Sequence, residues 1–254
     1  MSIKKSHYQY IKSFMKNDLN EIEIVNGVPK VVFIMWFSHK DYIQEFTVRR
    51  FGALQSLITN LKVPVIMITK DNYMAWEVKE HPITETFNYL SGNHKSDYLR
   101  AYFLYHYGGG YHDIKWREKS WDNEWEKFSD SNIWIIGQRE TDSICIGYNP
   151  DKNEKWVQEK FNDLFTMGWV ISRPHNEYIK VLLDSIEKTL LSKLELLKVK
   201  FAPATRCGIG NGCTENDYPL RWLEIMGEIS HPLQLNYTQH IDYSLPPILK
   251  KTYK

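Results

Sequence analysis

Long apolar runs are missing from these 254 residues: the longest, Val31 to Phe37, is seven residues, against the roughly 20 that a membrane-spanning helix needs. No transmembrane segment is therefore expected. Net charge is nearly absent as well. Lys and Arg number 32 and Asp and Glu 31, a formal +1 at pH 7, so no global field draws the chain to nucleic acid or to an anionic membrane. Cysteine is scarce, with only Cys145, Cys207 and Cys213. An odd count without a secretory signal argues for a reducing compartment and against a disulfide framework, although Cys207 and Cys213 could form a bridge. No Cys-x-x-Cys or His-x-x-x-His spacing supports zinc. Met1 to Leu19 carries lysines but no continuous apolar stretch, so it does not read as a signal peptide. These absences together point to a cytoplasmic protein, or one attached peripherally to something met there. Internal repeats, low-complexity linkers, a phosphate-binding Gly-x-x-x-x-Gly-Lys loop and a Gly-x-Ser-x-Gly elbow are absent too.

Aromatic residues are what the chain has in excess, at 14%. They serve either a core of large side chains or a groove whose flat faces stack on sugars or bases, and composition does not separate the two. Along the chain, 1–27 is a polar leader. Val31 to Phe37 follows Pro29 as a strand buried on both faces. Asp41 to Asn60 switches to helical spacing, with Ile43, Phe46, Phe51, Leu54 and Ile58 on one face. Val63 to Ile68 is a second buried strand with Pro64 at its start. Strand, helix, strand implies a parallel pair with a right-handed crossover. Pro82 to Leu90 is expected as a short helix and Ser96 to Tyr107 as a longer one, closed by Gly108-Gly109-Gly110 where φ > 0 is cheap. Short strands are expected at Ile133 to Gly137, Ile144 to Gly147 and Gly168 to Ser172. Tyr178 to Leu197 is an amphipathic helix with a packing stripe of Leu182, Ile186, Leu190, Leu194 and Leu197. Gly208 to Tyr218 reads as a loop.

The informative stretch runs from Ser96-Asp97-Tyr98-Leu99-Arg100 through Tyr107-Gly108-Gly109-Gly110-Tyr111-His112-Asp113-Ile114-Lys115. Asp97 and Arg100, three apart, share a helix face. The glycines stop that helix and permit close backbone approach. Tyr111 to Ile114 then runs extended and presents Asp113 at a strand end, where ligands collect in open α/β sheets. Read singly, these features are an ion pair, a glycine cap and a solvated Asp.

Together they resemble the signature of the DXD-type sugar-binding glycosyltransferases, especially the capsular polysaccharide synthesis branch, in which a Ser-Asp-x-x-Arg helix leads through Tyr-Gly-Gly to a strand ending in Asp-x-Asp. Val28-Pro29-Lys30-Val31-Val32-Phe33-Ile34-Met35-Trp36 resembles that family's opening pattern, and Trp169 to His175 its later strand. The resemblance covers roughly 28–185. It implies an α/β GT-A-like (Rossmann-like) fold, a mostly parallel sheet flanked by helices in one domain spanning 1–254, with 175–254 lying over the acceptor side. It implies a nucleotide-sugar donor and a saccharide acceptor as partners. Asp97, Arg100, Gly109 and Asp113 would then bind the donor, and Trp36 and Phe37 would line its base. Asp113 would be the first Asp of the motif, and Tyr111 before it reads as packing.

The second motif carboxylate is Lys115 here. Two carboxylates would hold a hard divalent ion, Mn²⁺ or Mg²⁺, against the diphosphate, and a charged lysine cannot ligate one. Three alternatives stand: an ion held by Asp113 with ligands elsewhere, transfer without the ion and with Lys115 in part of its catalytic role, or a catalytically inactive nucleotide-sugar or glycan-binding protein. In the C-terminal third, Glu215 or Asp217 would serve as a base toward an acceptor hydroxyl, and His231 could complete a metal site.

Overall fold

The computed structural model describes residues 5–38 and 46–248. Its first helix, α1 (Lys5–Lys12), falls in the stretch expected as a leader. Ile11 is fully buried there, and the carbonyl of Phe14 just beyond accepts from Met67 N at 2.7 Å. The segment is thus packed against the strand Val65–Thr69. A short antiparallel ribbon, β1 (Ile24–Val25) and β2 (Val28–Pro29), turns on Asn26 and Gly27, both at positive φ.

The two apolar runs form the expected parallel pair. β3 (Val32–Trp36) pairs with β4 (Val65–Thr69), Val32 opposite Val65 through Trp36 opposite Thr69. Helix α2 (Val48–Asn60) links them, its N-terminus capped by the Thr47 hydroxyl, which accepts from Arg50 N at 3.1 Å. The expected start at Asp41 lies outside the described residues. A 3₁₀ turn at Glu85–Tyr89 stands where a short helix was expected. Helix α3 (Gly92–His106) begins earlier than its sequence pattern suggested, because Ser91 caps it. It ends as expected: Gly108 at φ 68° donates to Phe103 O, and β5 (Gly109–His112) follows directly.

β6 (Ile135–Arg139) and β7 (Phe165–Ser172) come next, then α4 (Glu177–Ser192), α5 (Leu194–Val199), the small pair β8 (Gly208–Ile209) and β9 (Gly212–Cys213), α6 (Gly227–Gln234) and β10 (Ile241–Asp242). The sheet order is β10-β6-β7-β5-β3-β4, and only β7 runs against the other five. This is a mixed α/β architecture on a mostly parallel sheet. Successive residues of β3 face opposite layers: Phe33 and Met35 pack with α3 and α4, while Val32 and Ile34 pack with α2, Trp121 and Trp125.

Further expected elements differ: the stretch 208–218, expected as a loop, carries the short pair β8 and β9. Ile144 to Gly147 is not a strand; Ser143–Cys145 is a 3₁₀ turn whose Asp142 side chain accepts from Ile144 N. The helix expected over Tyr178 to Leu197 divides at Lys193, whose Nζ reaches Glu224 at 2.5 Å and Pro219 O at 2.9 Å. That tertiary anchor redirects the chain, and Leu194 is left only half-buried while Leu182, Ile186, Leu190 and Leu197 are buried. The bridge left open between Cys207 and Cys213 is present: they form a disulfide that closes the Gly-rich loop, leaving Cys145 exposed outside it. Among the described residues no helix is long and apolar enough to cross a membrane.

Candidate active site

β3 and β5 point their carboxyl ends to one edge of the sheet, and reversed β7 brings its amino end there. A cavity of about 1150 Å³ opens at this edge, bordered by Trp36, Asp97, Arg100, Asp113, Lys115 and Trp169 among others. Such a position suits ligand binding in open α/β sheets.

Arg100 is the organising side chain. It is 7% exposed, on a turn of α3 that is buried on all sides. Its Nη1 donates to Met167 O at 3.0 Å and its Nη2 to Asp97 Oδ1 at 2.9 Å and Tyr111 OH at 3.3 Å. Asp113 Oδ1 is 3.5 Å from the same Nη2, and Nε is buried without a hydrogen-bond partner among the described residues. Burial alone would lower its pKa; Tyr111, Asp97 and Asp113 raise it instead, so the guanidinium is held charged. Burial pushes Asp97 up to about 6, with Arg100 opposing.

Asp113 sits one residue past β5. Its N–H donates to Gly168 O at 2.7 Å, Tyr111 OH donates to Oδ1 at 2.9 Å, and Lys115 Nζ lies 2.9 Å from Oδ2. Against the cost of burial, Lys115 and Arg100 hold this carboxyl well below the ordinary range. Lys115 also stands over the Trp169 ring at 5.1 Å. Tyr111, expected as packing alone, has a polar role: its hydroxyl bridges Arg100 and Asp113.

The remaining expected site residues separate. Trp36 borders the cavity with its ring against Phe46, and Phe37 borders it while packed against Tyr73 and Phe87. Gly109 does not border it. It lies at the far end of β5 from Asp113, at φ 78°, where an added Cβ would stand 3.0 Å from Pro29 O. Its role is to let two backbones approach. Asp217 is likewise outside the cavity: it is exposed and accepts from Thr214 N and Oγ1 at 3.0 and 2.7 Å, a turn cap. Glu215 is exposed in the same turn. His231 borders the cavity but accepts from Gly147 N at 2.9 Å, and burial lowers it to about 4. Sequence reasoning missed Arg50, whose Nη1 donates to Ile114 O at 2.6 Å, and the Arg206–Trp222 stack on the rim. Two adjacent arginines opening α2 were the available signal.

A divalent ion does not fit the residues present. Both oxygens of Asp113 are already engaged, by Lys115 and by Tyr111 with Arg100, and the Asp97 carboxylate is turned to Arg100. Among the described residues no group of three or more His, Cys, Asp or Glu is placed to hold a metal.

A family model described as a glycosyltransferase sugar-binding region containing a DXD motif matches residues 2–130. Asp97, Arg100, Asp113 and Lys115 fall inside the match, and Asp217 and His231 outside it. Comparison with curated proteins gives no match.

Proposed function

Because the chain belongs to the glycosyltransferase family whose sugar-binding region contains a DXD motif, we propose that it transfers a sugar from a nucleotide-sugar donor to a hydroxyl of a saccharide acceptor, in polysaccharide synthesis of the capsular kind and on a GT-A-type fold. The observation that carries this reading is the convergence of Asp97, Arg100, Asp113 and Lys115, from α3 and from the turn after β5, on one large cavity at the strand ends. In this reading 1–254 is one transferase domain. Trp222, Leu223 and Met226 border the same cavity, which supports placing the C-terminal part on the acceptor side.

The chemistry asked of the protein is positioning and charge stabilisation. Trp36 offers an aromatic face to the base. Lys115 Nζ and the Arg100 guanidinium, pre-organised by Asp113, Asp97 and Met167 O, stabilise the negative charge that grows on the diphosphate as the sugar departs. A donor held by fixed cations needs no reorganisation of the site at that moment.

The test is a thermal-shift screen against UDP-, GDP- and CMP-sugars, followed by release of free nucleotide from whichever binds. A ligand that binds only the folded state raises apparent stability. A shift with slow acceptor-free hydrolysis supports a transferase. A shift with no hydrolysis and no transfer to any saccharide identifies a binding protein, and no shift with any donor refutes the reading.

A further inference from the structure

Resting on the donor reading above, we propose that Arg50, with Arg206 beside it, is a phosphate-binding residue that lets this site hold the donor's diphosphate without a divalent ion.

Arg50 is placed for that task by two contacts. Its Nη1 donates to the carbonyl of Ile114, the residue between Asp113 and Lys115, and its guanidinium lies 5.4 Å from the Trp36 ring. The side chain is half-buried in the cavity wall. Among the described residues it makes no ion pair, while Arg100 and Lys115 are matched by Asp97 and Asp113. Burial lowers its pKa, and Asp113 only partly offsets this. Arg49 and Arg50 stand in the first turn of α2, which contains no acid. Cations there oppose the positive end of the helix dipole, so helix stability does not explain them. An anion bound at this point would.

Arg206 supplies the neighbour. Its charge depresses Arg50, and its guanidinium stacks 5.5 Å from Trp222 on the cavity rim. The loop that carries it is tied down on both sides: Asn93 N donates to Thr205 O at 3.2 Å, and Cys207 is in the disulfide. Among the described residues Arg206 also makes no ion pair. The other acidic side chains on the cavity, Glu140 and Asp142, follow β6 and lie beyond β7 from Asp113.

Beside Asp113, the carboxylates of Asp97 and Asp113 offset Arg100 and Lys115, and Arg50 and Arg206 add positive charge without a carboxylate of their own. With Arg139, Glu140 and Asp142 counted, the described residues that border the cavity keep a formal positive charge of one, the sign a diphosphate requires. Guanidinium forks match phosphate oxygens geometrically, and such charge-assisted bonds are the strong ones.

Calorimetric binding of UDP, GDP and CDP, with inorganic pyrophosphate as the base-free probe, in excess EDTA and with added Mn²⁺, tests this on the whole chain. Wild type is expected to bind one of the nucleotides in EDTA about as tightly as with Mn²⁺. Arg50→Met should weaken binding by about tenfold or more in both conditions, with its thermal midpoint near wild type. Arg50→Lys, which keeps the charge, should lose less, and it carries the test if Arg50→Met does not fold. Binding only with Mn²⁺, or affinity unaltered in both Arg50 variants, overturns the proposal while leaving the donor reading intact. Absence of binding by every nucleotide in both conditions overturns the proposal and, with it, every diphosphate donor, leaving a CMP-sugar as the one donor class of the screen that these probes do not represent.

Discussion

Lys115 Nζ stands 2.9 Å from Asp113 Oδ2 because the chain turns between the two residues. β5 ends at His112, and Lys115 N donates back to Asp113 O at 2.7 Å, a three-residue turn. Strand alternation would put both side chains on one face only if the strand stayed regular through 115. The turn brings them together without that regularity, with Lys115 at the sequence position that the resemblance gives to the motif's second carboxylate.

Lys115→Ala should therefore raise the pKa of Asp113 and, in the proposed reading, remove a cation that holds the diphosphate. Turnover in excess EDTA is expected to survive in wild type and to fall by roughly tenfold or more in the variant, the scale of losing one charge-assisted contact in the transition state. Activity abolished by EDTA and fully restored by Mn²⁺ in both proteins would show that the lysine does not replace the ion.

Arg100→Lys keeps the charge and loses the planar fork. Only one of the contacts to Met167 O, Asp97 and Tyr111 can be reproduced well by a single ammonium. Unfolding free energy should drop by about 2 kcal/mol and donor affinity by about 1–3 kcal/mol. Urea denaturation and calorimetry measure the two separately, and an unaltered donor affinity would remove Arg100 from the binding site.

Gly109→Ala separates a backbone role from a ligand role. At φ 78°, with Pro29 O only 3.0 Å from the added Cβ, the variant should lose about 2 kcal/mol of stability. Because Gly109 does not border the cavity, donor affinity measured on the folded fraction should not change.

Acid stability has a definite sign. Burial lowers His94 to about 4, His112 to about 3 and His231 to about 4, whereas in the unfolded chain each titrates near 6.5. The unfolded state therefore binds more protons below that pH. Stability is full above 6.5 and falls as pH drops toward 4. Each histidine costs on the order of 1 kcal/mol at one unit below its unfolded pKa. Asp97, raised to about 6 by burial, works the other way and returns about 1 kcal/mol as pH falls through 6. Half-buried His106, also lowered to about 4, adds a smaller share in the same direction, so the net loss from about pH 7.5 to about pH 5.5 is on the order of 3–4 kcal/mol, readable as a shift in urea midpoint. An unchanged midpoint would refute buried neutral histidines.

The disulfide is checked by counting thiols. Without reductant, the denatured protein should titrate as one thiol, Cys145, and after reduction as three. Replacing Cys207 and Cys213 by serine should cost about 2 kcal/mol, as expected for a short closed loop. Two further thiols in the unreduced protein would overturn the bridge.

Periodicity and local chemistry by themselves determined the parallel strand pair, the helix that carries Asp97 and Arg100, its stop at Gly108 and the place of Asp113 beyond a short strand. Each follows from interactions a few residues apart: apolar runs buried on both faces, an i,i+3 helix spacing and a glycine that adopts positive φ at little cost. Tertiary structure decided the rest. The helix after β7 breaks at Lys193 because Glu224 and Pro219, far along the chain, hold that lysine. Asp217 caps its own turn and never reaches the cavity. Tyr111 becomes polar because Arg100 and Asp113 arrive on either side of its hydroxyl. Arg50 and Arg206 come to border one cavity only when α2 and the segment leading into the disulfide are folded into place. A side chain's chemistry is written in its residue type, but its partners, and so its charge and reach, are set by contacts between segments that no local pattern records.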